Sequence, residues 1–217
     1  WADLRKAAEF GLHIPAGVKY DFGAVMARMR KLRARISQND SVQRYATLGV
    51  DIYIGSGRFL GPDTIQVEGP AGDRTLTFVK AAVCTGARAS APPTPGLQEA
   101  GYLTNETVFS LTELPQRIGV IGAGPIGCEL AQSFARFGSQ VYLIEAAHGI
   151  MPNEDRDAAN IVEQQMVRDG VKVLCCGKQL QVGKTEGGTR LMVGSHGQQY
   201  DVTVDAILVG VGRTPNV

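Results

Sequence analysis

A sequence of 217 residues with 44% hydrophobic and 20% charged residues has the composition of a globular protein of one large or two small domains. Its formal net charge of +1 supplies no overall field that would attract nucleic acid or an acidic membrane surface, so neither is expected as a partner. No apolar run is long enough to cross a bilayer and no basic-then-apolar leader is recognisable, so a cytoplasmic location is expected.

The first 48 residues are predicted to be mainly helical. Apolar residues at helical spacing indicate a short helix over residues 1–12, which residues 15–17 interrupt. A longer helix is predicted over residues 22–48, and its basic face is interpreted as a solvated surface. The apolar stripe of this helix is predicted to consist of Val25, Met29, Leu32 and Ile36.

From residue 50 the apolar period shortens to two, which is typical of strands. Strands are predicted over residues 50–54, 64–67 and 76–78, and a buried strand over residues 81–84. Because three prolines within residues 92–95 fix φ and remove backbone donors, we expect a stiff connector and a domain boundary there.

Strands and helices alternate in the second half, which predicts a parallel sheet. A flap of two antiparallel strands and a last buried strand are predicted to follow. The strands of the parallel sheet are predicted over residues 117–121, 140–144, 171–174 and 206–211, the helices over 125–137 and 155–169, and the flap over 178–182 and 189–193. The side chains predicted to face inward from the second helix are Ala158, Ile161, Val162 and Met166.

A G-x-G-x-x-G motif lies between the first predicted strand of this sheet and its helix, the context that makes the motif specific for a dinucleotide. The first glycine permits a tight turn, the second lets a pyrophosphate approach the backbone, and the third lets helix and strand pack closely. The residues predicted to bind the dinucleotide here are Gly122, Ala123, Gly124, Pro125, Ile126 and Gly127.

An acidic residue, Glu145, ends the next predicted strand, at the position where a carboxylate accepts hydrogen bonds from the adenosine ribose. It would repel a 2′-phosphate, and the following residues contain no arginine to receive one, so NAD(H) is favoured over NADP(H). A protonated His148 could still supply positive charge there.

The cysteines show no CxxC or metal-ligand spacing, and the three histidines are scattered, so reduced thiols and no metal site are expected. Cys175 and Cys176 are adjacent at the end of a predicted buried strand. Because neighbouring side chains of a strand point to opposite faces, their sulfurs are predicted to diverge, and both are interpreted as small core residues rather than a redox pair.

These motifs together resemble the pyridine nucleotide-disulfide oxidoreductases, a family that includes dihydrolipoyl dehydrogenase, glutathione reductase and mercuric reductase. The resemblance rests on residues 84–88 with the proline-rich connector, 120–129 and 205–216. Residues 104–110 and 151–155 look most like the mercuric-reductase-like branch. It implies an α/β, three-layer, Rossmann-like FAD/NAD(P)-binding fold. Residues 1–90 would be part of an FAD-binding domain, 91–211 an inserted NAD-binding domain, and 212–217 the return to the FAD domain.

The resemblance also implies roles for single residues. Thr85 and Gly86 would lie against FAD, Glu129 near the contact between nicotinamide and flavin, and Gly210 and Gly212 close to the nicotinamide. The alternatives are a solvated glutamate on a helix and glycines that serve only turns.

The implied function is the NAD(H)-binding portion of an NAD(P)H-dependent flavoprotein, in which hydride passes from NADH to FAD and then to a disulfide or a metal ion. The sequence is interpreted as an internal fragment, since it begins within a helical pattern and lacks the family's redox cysteines, its N-terminal FAD glycine motif and its C-terminal dimer domain. No catalytic residue is therefore expected within it, and the parent is expected to be a homodimer. The alternative is a non-enzymatic module that binds or senses NADH.

Overall fold

The computed structural model of the protein describes residues 1–216. The contacts between residues divide it into a unit of residues 1–27 and 87–216 and a unit of residues 28–86. The helices are α1 (Ala2–Arg5), α2 (Phe22–Ile36), α3 (Val42–Thr47), α4 (Leu97–Ala100), α5 (Pro125–Phe137) and α6 (Arg156–Arg168). The strands are β1 (Ser56–Phe59), β2 (Thr64–Glu68), β3 (Arg74–Thr77), β4 (Ala87–Ala89), β5 (Arg117–Ile121), β6 (Gln140–Ile144), β7 (Val171–Leu174), β8 (Lys178–Thr185), β9 (Gly188–Ser195), β10 (Gln198–Val204), β11 (Ala206–Val209) and β12 (Arg213–Pro215).

A four-stranded parallel sheet in the order β11-β5-β6-β7 forms the centre of the first unit. This confirms the predicted parallel sheet and the two helices that connect its strands. Gly138 ends α5 in the left-handed conformation with φ 101°, where a residue without Cβ is favoured. Asp155 caps α6 because its carboxylate accepts hydrogen bonds from the N–H groups of Asp157 and Ala158.

The antiparallel sheet β10-β9-β8 covers one face of the parallel sheet. Gly119 shows how closely the two sheets pack, because a Cβ atom there would lie 2.5 Å from the Cδ1 atom of Leu191. Its neighbour Val120 points the other way, towards α5. Helices, parallel sheet and antiparallel sheet thus form the three layers expected of the Rossmann-like α/β fold. The buried cluster between the sheets includes Ile121, Tyr142, Ile144, Leu174, Leu191, Val193, Val204 and Ile207.

The predicted flap is larger than expected. Its two predicted strands pair as β8 and β9, but β10 adds a third. A two-residue turn of His196 and Gly197, both with positive φ, joins β9 to β10. Positive φ at both central residues is the geometry of a tight type I′ hairpin turn, usually formed by Asn-Gly or Gly-Gly. A histidine in this turn gave no hairpin signal in the sequence.

Two segments of the chain run side by side where β4 pairs antiparallel with β12. The Ser90 N–H donates to the Gly212 carbonyl at 3.0 Å, and the hydroxyls of Ser90 and Thr214 lie 2.6 Å apart. Residues 90–212 therefore leave and rejoin this ladder at neighbouring points.

The second unit contains most of α2, together with α3 and the antiparallel sheet β1-β2-β3. Among residues 28–86, Val67 is the single buried residue. Large apolar side chains are exposed instead, among them Leu48, Ile54, Val79 and Val83.

The predicted N-terminal helices are wrong in their extent. The first is split at Lys6 into α1 and a 3-10 turn, Ala7–Phe10. The second ends at Ile36, and much of its predicted apolar stripe is exposed, with Ile36 at 60%. Polar side chains over residues 37–41 compete for backbone hydrogen bonds, and Ser41 adopts an extended conformation and caps α3.

Two predicted strands are absent from the described structure. Residues 50–54 form no strand because β1 begins at Ser56, opposite Glu68, and the next two residues of the partner are Gly69 and Pro70, which has no N–H to donate. Residues 81–84 are exposed and unstructured, with Val83 at 62% exposure, since no described strand lies alongside to complete a ladder.

The predicted inner face of α6 is confirmed for Met166 and wrong for Ala158, Ile161 and Val162. Ala159 and Met166 are buried, whereas Ile161 is 70% exposed and Ala158 and Val162 also face solvent. Successive residues of a helix are about 100° apart, so Ile161 points roughly 200° away from Ala159. Apolar residues thus lie on more than one face of α6, and it is the small Ala159 rather than Ile161 that is buried.

Among residues 1–216, no helix is both long enough and apolar enough to span a membrane.

Candidate nucleotide-binding site

A cleft of about 770 Å³ opens at the carboxyl ends of the parallel strands. Strands β5 and β11 are neighbours there although they are far apart in the sequence, so the chain leaves β5 towards β6 on one side and β11 lies on the other. Open α/β sheets bind ligands at such a point of reversal. The lining includes Ile121, Gly122, Gly124, Pro125, Ile126, Ile144, Glu145, Gly177, Gly210, Gly212 and Arg213.

Each glycine of the motif meets a different steric requirement. Gly122 has φ +100°, and a Cβ atom there would lie 2.5 Å from the Gly210 carbonyl oxygen. A Cβ atom at Gly127 would overlap the carbonyl oxygen of Gly122. Gly124 is different, because its Cβ position has no atom within 4 Å and the residue lines the cleft. The outer glycines therefore shape the turn, while the middle one keeps the cleft open.

The N-terminus of α5 points an unsatisfied set of backbone donors at this cleft. Gly124 is the N-cap in an extended conformation, and Pro125 occupies the first turn, where its missing N–H removes no helical bond. The N–H groups of the first turn of a helix have no acceptor within it and carry the positive end of the helix dipole. This arrangement favours an anionic group such as a pyrophosphate.

Glu145 lines the cleft directly after the end of β6. Its Oε2 atom accepts a hydrogen bond from the Ala123 N–H at 2.8 Å, and its Oε1 atom accepts one from the Ala147 N–H at 2.9 Å. A carboxylate can accept about four hydrogen bonds, so capacity for ribose hydroxyls is left. The same side chain thus connects the glycine turn to the loop after β6, a structural role that the sequence did not predict.

Cys128, in the first turns of α5, is an inert thiol. Burial, reinforced by the charge of Glu145, raises its pKa to about 12. The thiol lies against the Ala123 carbonyl oxygen at 3.3 Å, to which it donates. At neutral pH it therefore stays protonated and supports packing beneath the glycine turn.

The structure does not bring all the predicted site residues together. Ala123 and Gly127 are buried beneath the cleft rather than lining it. Glu129 is exposed on α5 and is not part of the lining. Thr85 and Gly86 belong to the other unit.

Several residues that line the cleft come from loops that were not predicted to bind a cofactor. Met151 donates its N–H to the Ala123 carbonyl at 2.7 Å and has a positive φ of 44°, so its loop is fixed against the glycine turn. No spacing in the sequence could have found these residues, because the fold alone brings their loops to the cleft. They include Pro92, Thr94, Asn105, Met151, Asn153 and Glu154.

The prediction that the sulfurs of Cys175 and Cys176 diverge is wrong. Both residues follow the end of β7, and Cys176 has a left-handed φ of 54°, so strand alternation does not apply. The ligand atoms of His148, Cys175 and Cys176 all lie within 4.8 Å of one another. Cys175 is buried, as expected of a core residue, whereas Cys176 is half-buried. Desolvation, helped by the neighbouring Cys175, raises the pKa of Cys176.

Comparison with known proteins places the chain in a family. A family model described as pyridine nucleotide-disulphide oxidoreductase matches residues 7–217. The chain belongs to this family. The resemblance that its motifs indicated is thereby confirmed.

It is 27% identical over 206 residues to mercuric reductase of Staphylococcus aureus, covering 95% of this chain and 37% of that protein. It is 27% identical over 217 residues to dihydrolipoyl dehydrogenase of Bacillus subtilis strain 168, covering 99% of this chain and 46% of that protein. The solved structure of the HOCl-induced flavoprotein disulfide reductase RclA from Escherichia coli matches with a TM-score of 0.75 and 29% identity, covering 91% of this chain and 44% of that one. The chain thus spans less than half the length of these relatives.

Proposed function

We propose that this chain is the NAD(H)-binding portion of a flavin-dependent oxidoreductase, in which hydride passes from NADH to FAD and then to a disulfide or metal-ion acceptor. The observation that carries the proposal is the open position at Gly124, at the N-terminus of α5 and inside a cleft that also holds Glu145. Glycine turn, helix N-terminus and acid are in the arrangement that dinucleotide binding requires.

The residues of the chain would act by binding and orienting. The first-turn N–H groups of α5 would hold the pyrophosphate, and Glu145 would accept hydrogen bonds from the adenosine ribose. Gly210 and Gly212, which line the same cleft, would let the nicotinamide end approach the backbone. When bound, NADH supplies the hydride, and the protein's contribution is position and electrostatics.

We assign residues 91–211 to the NAD domain, with residues 1–90 and 212–217 belonging to a flavin domain. The pairing of β4 with β12 supports this, because the chain enters and leaves the cleft-bearing sheet through adjacent strands. Thr85 and Gly86 are the residues proposed to face the flavin. For Glu129 a solvated position on α5 fits the exposure of its side chain, so its proposed place near the nicotinamide needs a direct test.

The acceptor is proposed to be a disulfide or a metal ion, by similarity to relatives named dihydrolipoyl dehydrogenase and mercuric reductase. The four cysteines are free thiols, which supports a reducing, cytoplasmic setting for the whole protein. The whole protein is proposed to be a homodimer.

The second candidate function is a module that senses NADH without thiol chemistry. A Cys-x4-Cys pair encoded upstream of Trp1 in the reading frame would favour the enzyme, and its absence would favour the sensor.

A substitution of Gly124 tests the nucleotide site without disturbing the fold. Gly124→Val would place a side chain where the pyrophosphate must lie, and overpacking of this kind costs about 1–3 kcal/mol, or roughly 5- to 150-fold in affinity. The matched control is Gly183→Val in β8, since Gly183 also has no atom within 4 Å of its Cβ position. Fluorescence titration with NADH should show weakened binding in the first variant alone. Equal affinities for wild type and Gly124→Val would remove this loop from the nucleotide site.

A substitution of Glu145 tests the preference for NADH over NADPH. Glu145→Arg removes the carboxylate that would repel a 2′-phosphate, and loss of a charged hydrogen bond costs about 1.5–3 kcal/mol, or roughly 10- to 150-fold. The preference for NADH over NADPH, expressed as the ratio of their affinities, should decrease or reverse. Glu145→Gln is the control, because an amide oxygen can still accept from the Ala123 N–H while the charge is gone, and it should shift the ratio less. An unchanged ratio in Glu145→Arg would show that this acid does not set specificity.

A further inference from the structure

A second cluster of reactive side chains lies outside the nucleotide cleft, where three separate loops meet. His148 belongs to the loop after β6, Cys175 and Cys176 follow β7, and His196 forms the turn between β9 and β10. None of the four lines the cleft that holds Glu145. Their approach is a product of the fold, since no two of these three segments are close in sequence.

The ligand atoms of His148, Cys175 and Cys176 all lie within 4.8 Å of one another, and His196 joins them through its contact with Cys175. The Nδ1 atom of His148 lies 3.4 Å from the sulfur of Cys176, and the Nε2 atom of His196 lies 3.1 Å from the sulfur of Cys175. The rings of His148 and His196 are edge to face, with centroids 6.2 Å apart. Bonds of about 2.3 Å to sulfur and 2.0 Å to nitrogen in a tetrahedral zinc site place neighbouring ligand atoms roughly 3.3–3.8 Å apart. The contact between His148 and Cys176 falls within that range, and the contact between His196 and Cys175 is slightly shorter.

The backbone is fixed in the conformation that brings the side chains together. Cys176 and His196 both have positive φ, 54° and 49°, which is uncommon for residues other than glycine. The buried hydroxyl of Ser195 donates to the Cys175 carbonyl at 2.6 Å, and the Cys176 N–H donates to the Ala147 carbonyl at 2.9 Å. These bonds join the three loops behind the cluster, so the backbone that carries the four side chains is held together.

The cluster is accessible from solvent. An open cleft of about 870 Å³ is lined by His148, Cys175 and His196. Both histidines are exposed, whereas Cys175 is buried at the bottom of the cluster. An ion could therefore enter from the histidine side and reach the Cys175 sulfur without any opening of the core.

We propose that His148, Cys175, Cys176 and His196 form a tetrahedral binding site for Zn²⁺. Two thiolates and two imidazoles are a donor set typical of structural zinc, and the absence of carboxylate from it disfavours Mg²⁺ and Ca²⁺. Such an ion would join the loop after β6, the end of β7 and the β9–β10 turn. The site is independent of the nucleotide cleft, so its test does not depend on NADH binding.

The test uses the whole chain, reduced and freed of metal. Zn²⁺ should bind one per chain in competition with a chromogenic chelator, and Co²⁺ should give the thiolate-to-cobalt absorption of a tetrahedral site, which Zn²⁺ abolishes. Cys176→Ser, His148→Asn and His196→Asn should each weaken Zn²⁺ at least 10-fold, since even loss of an outer-shell partner costs roughly 10- to 100-fold. Asparagine tolerates the left-handed conformation at position 196, so that turn should persist.

The matched control is Cys84→Ser, which removes an exposed thiol outside the cluster and should leave Zn²⁺ affinity unchanged. Circular dichroism of each variant checks the fold. Absence of the thiolate-to-cobalt absorption would overturn the proposal, as would wild-type Zn²⁺ affinity in any of the three ligand variants. A Cys175–Cys176 disulfide that forms in air and persists in the presence of Zn²⁺ would also overturn it.

Discussion

The two units of the molecule differ in how much of their apolar surface they bury. In the unit of residues 87–216 with 1–27, both faces of the parallel sheet are covered, and Leu143, Leu191 and Leu208 are fully buried. In the unit of residues 28–86, the sheet β1-β2-β3 buries only Val67. Strand formation is therefore supported from both faces in the first unit and mainly by its own hydrogen bonds in the second.

This difference implies a difference in local stability. Regions with few buried apolar contacts open with free energies near zero, while core strands open only with the whole unit. The candidate nucleotide cleft and the His–Cys cluster both lie in the well-packed unit, so we expect the core beneath them to open rarely. We expect motion and fast exchange of amide hydrogens in the unit of residues 28–86, called the open unit below.

The largest expected effect comes from matched leucine substitutions, one in each unit. Leu191→Ala removes a fully buried side chain from the cluster between the two sheets and should cost about 2–5 kcal/mol of unfolding free energy. Leu76→Ala, in β3, removes a half-buried side chain and should cost less than about 1 kcal/mol. Denaturant unfolding measures both, and hydrogen exchange assigns the loss to a unit. Equal costs would show that the open unit carries a core of its own.

A smaller effect is expected from an ion pair at the start of the parallel sheet. Asp205 accepts hydrogen bonds from the guanidinium of Arg117 and from the Arg117 N–H at 2.8 Å, and the guanidinium above all holds the pKa of Asp205 below its usual value. A depressed pKa in the folded state means that the stabilisation is fully present above the unfolded pKa of about 3.9. It is lost as the pH falls through the lower, folded value.

Asp205→Asn should therefore reduce stability by about 1 kcal/mol or less at neutral pH, because both partners are partly exposed. The difference from wild type should stay constant between pH 7 and about pH 5 and close below about pH 4. Asp201→Asn is the control, since Asp201 pairs with Arg190 on the more exposed β9–β10 surface and should matter less. A difference in unfolding free energy between wild type and Asp205→Asn that widens as the pH falls would contradict this account.

Features that depend on interactions between residues close in sequence could be predicted, and features that depend on distant residues could not. The turn at Gly122–Gly127, the helix it opens and the acid at Glu145 depend on residues close in sequence, so their position and context could be predicted. The absence of a strand at residues 50–54 depends on Gly69 and Pro70, which follow the partner strand β2 and which a local pattern does not reveal. The His–Cys cluster was missed for the same reason, since its ligands come from three loops and Cys176 departs from strand geometry.

The ladder of β4 and β12 has a consequence for the entropy of the chain. Residues 90–212 begin and end within hydrogen-bonding distance of each other, as the 3.0 Å bond between Ser90 and Gly212 shows. The entropic cost of closing a loop grows slowly, by only about 0.6 kcal/mol for each doubling of its length. For a polypeptide that contains β4 and β12, closing the loop of residues 90–212 therefore costs little more entropy than closing a long hairpin loop. The cleft-bearing sheet could be exchanged between hosts at one short junction without stretching the chain on either side.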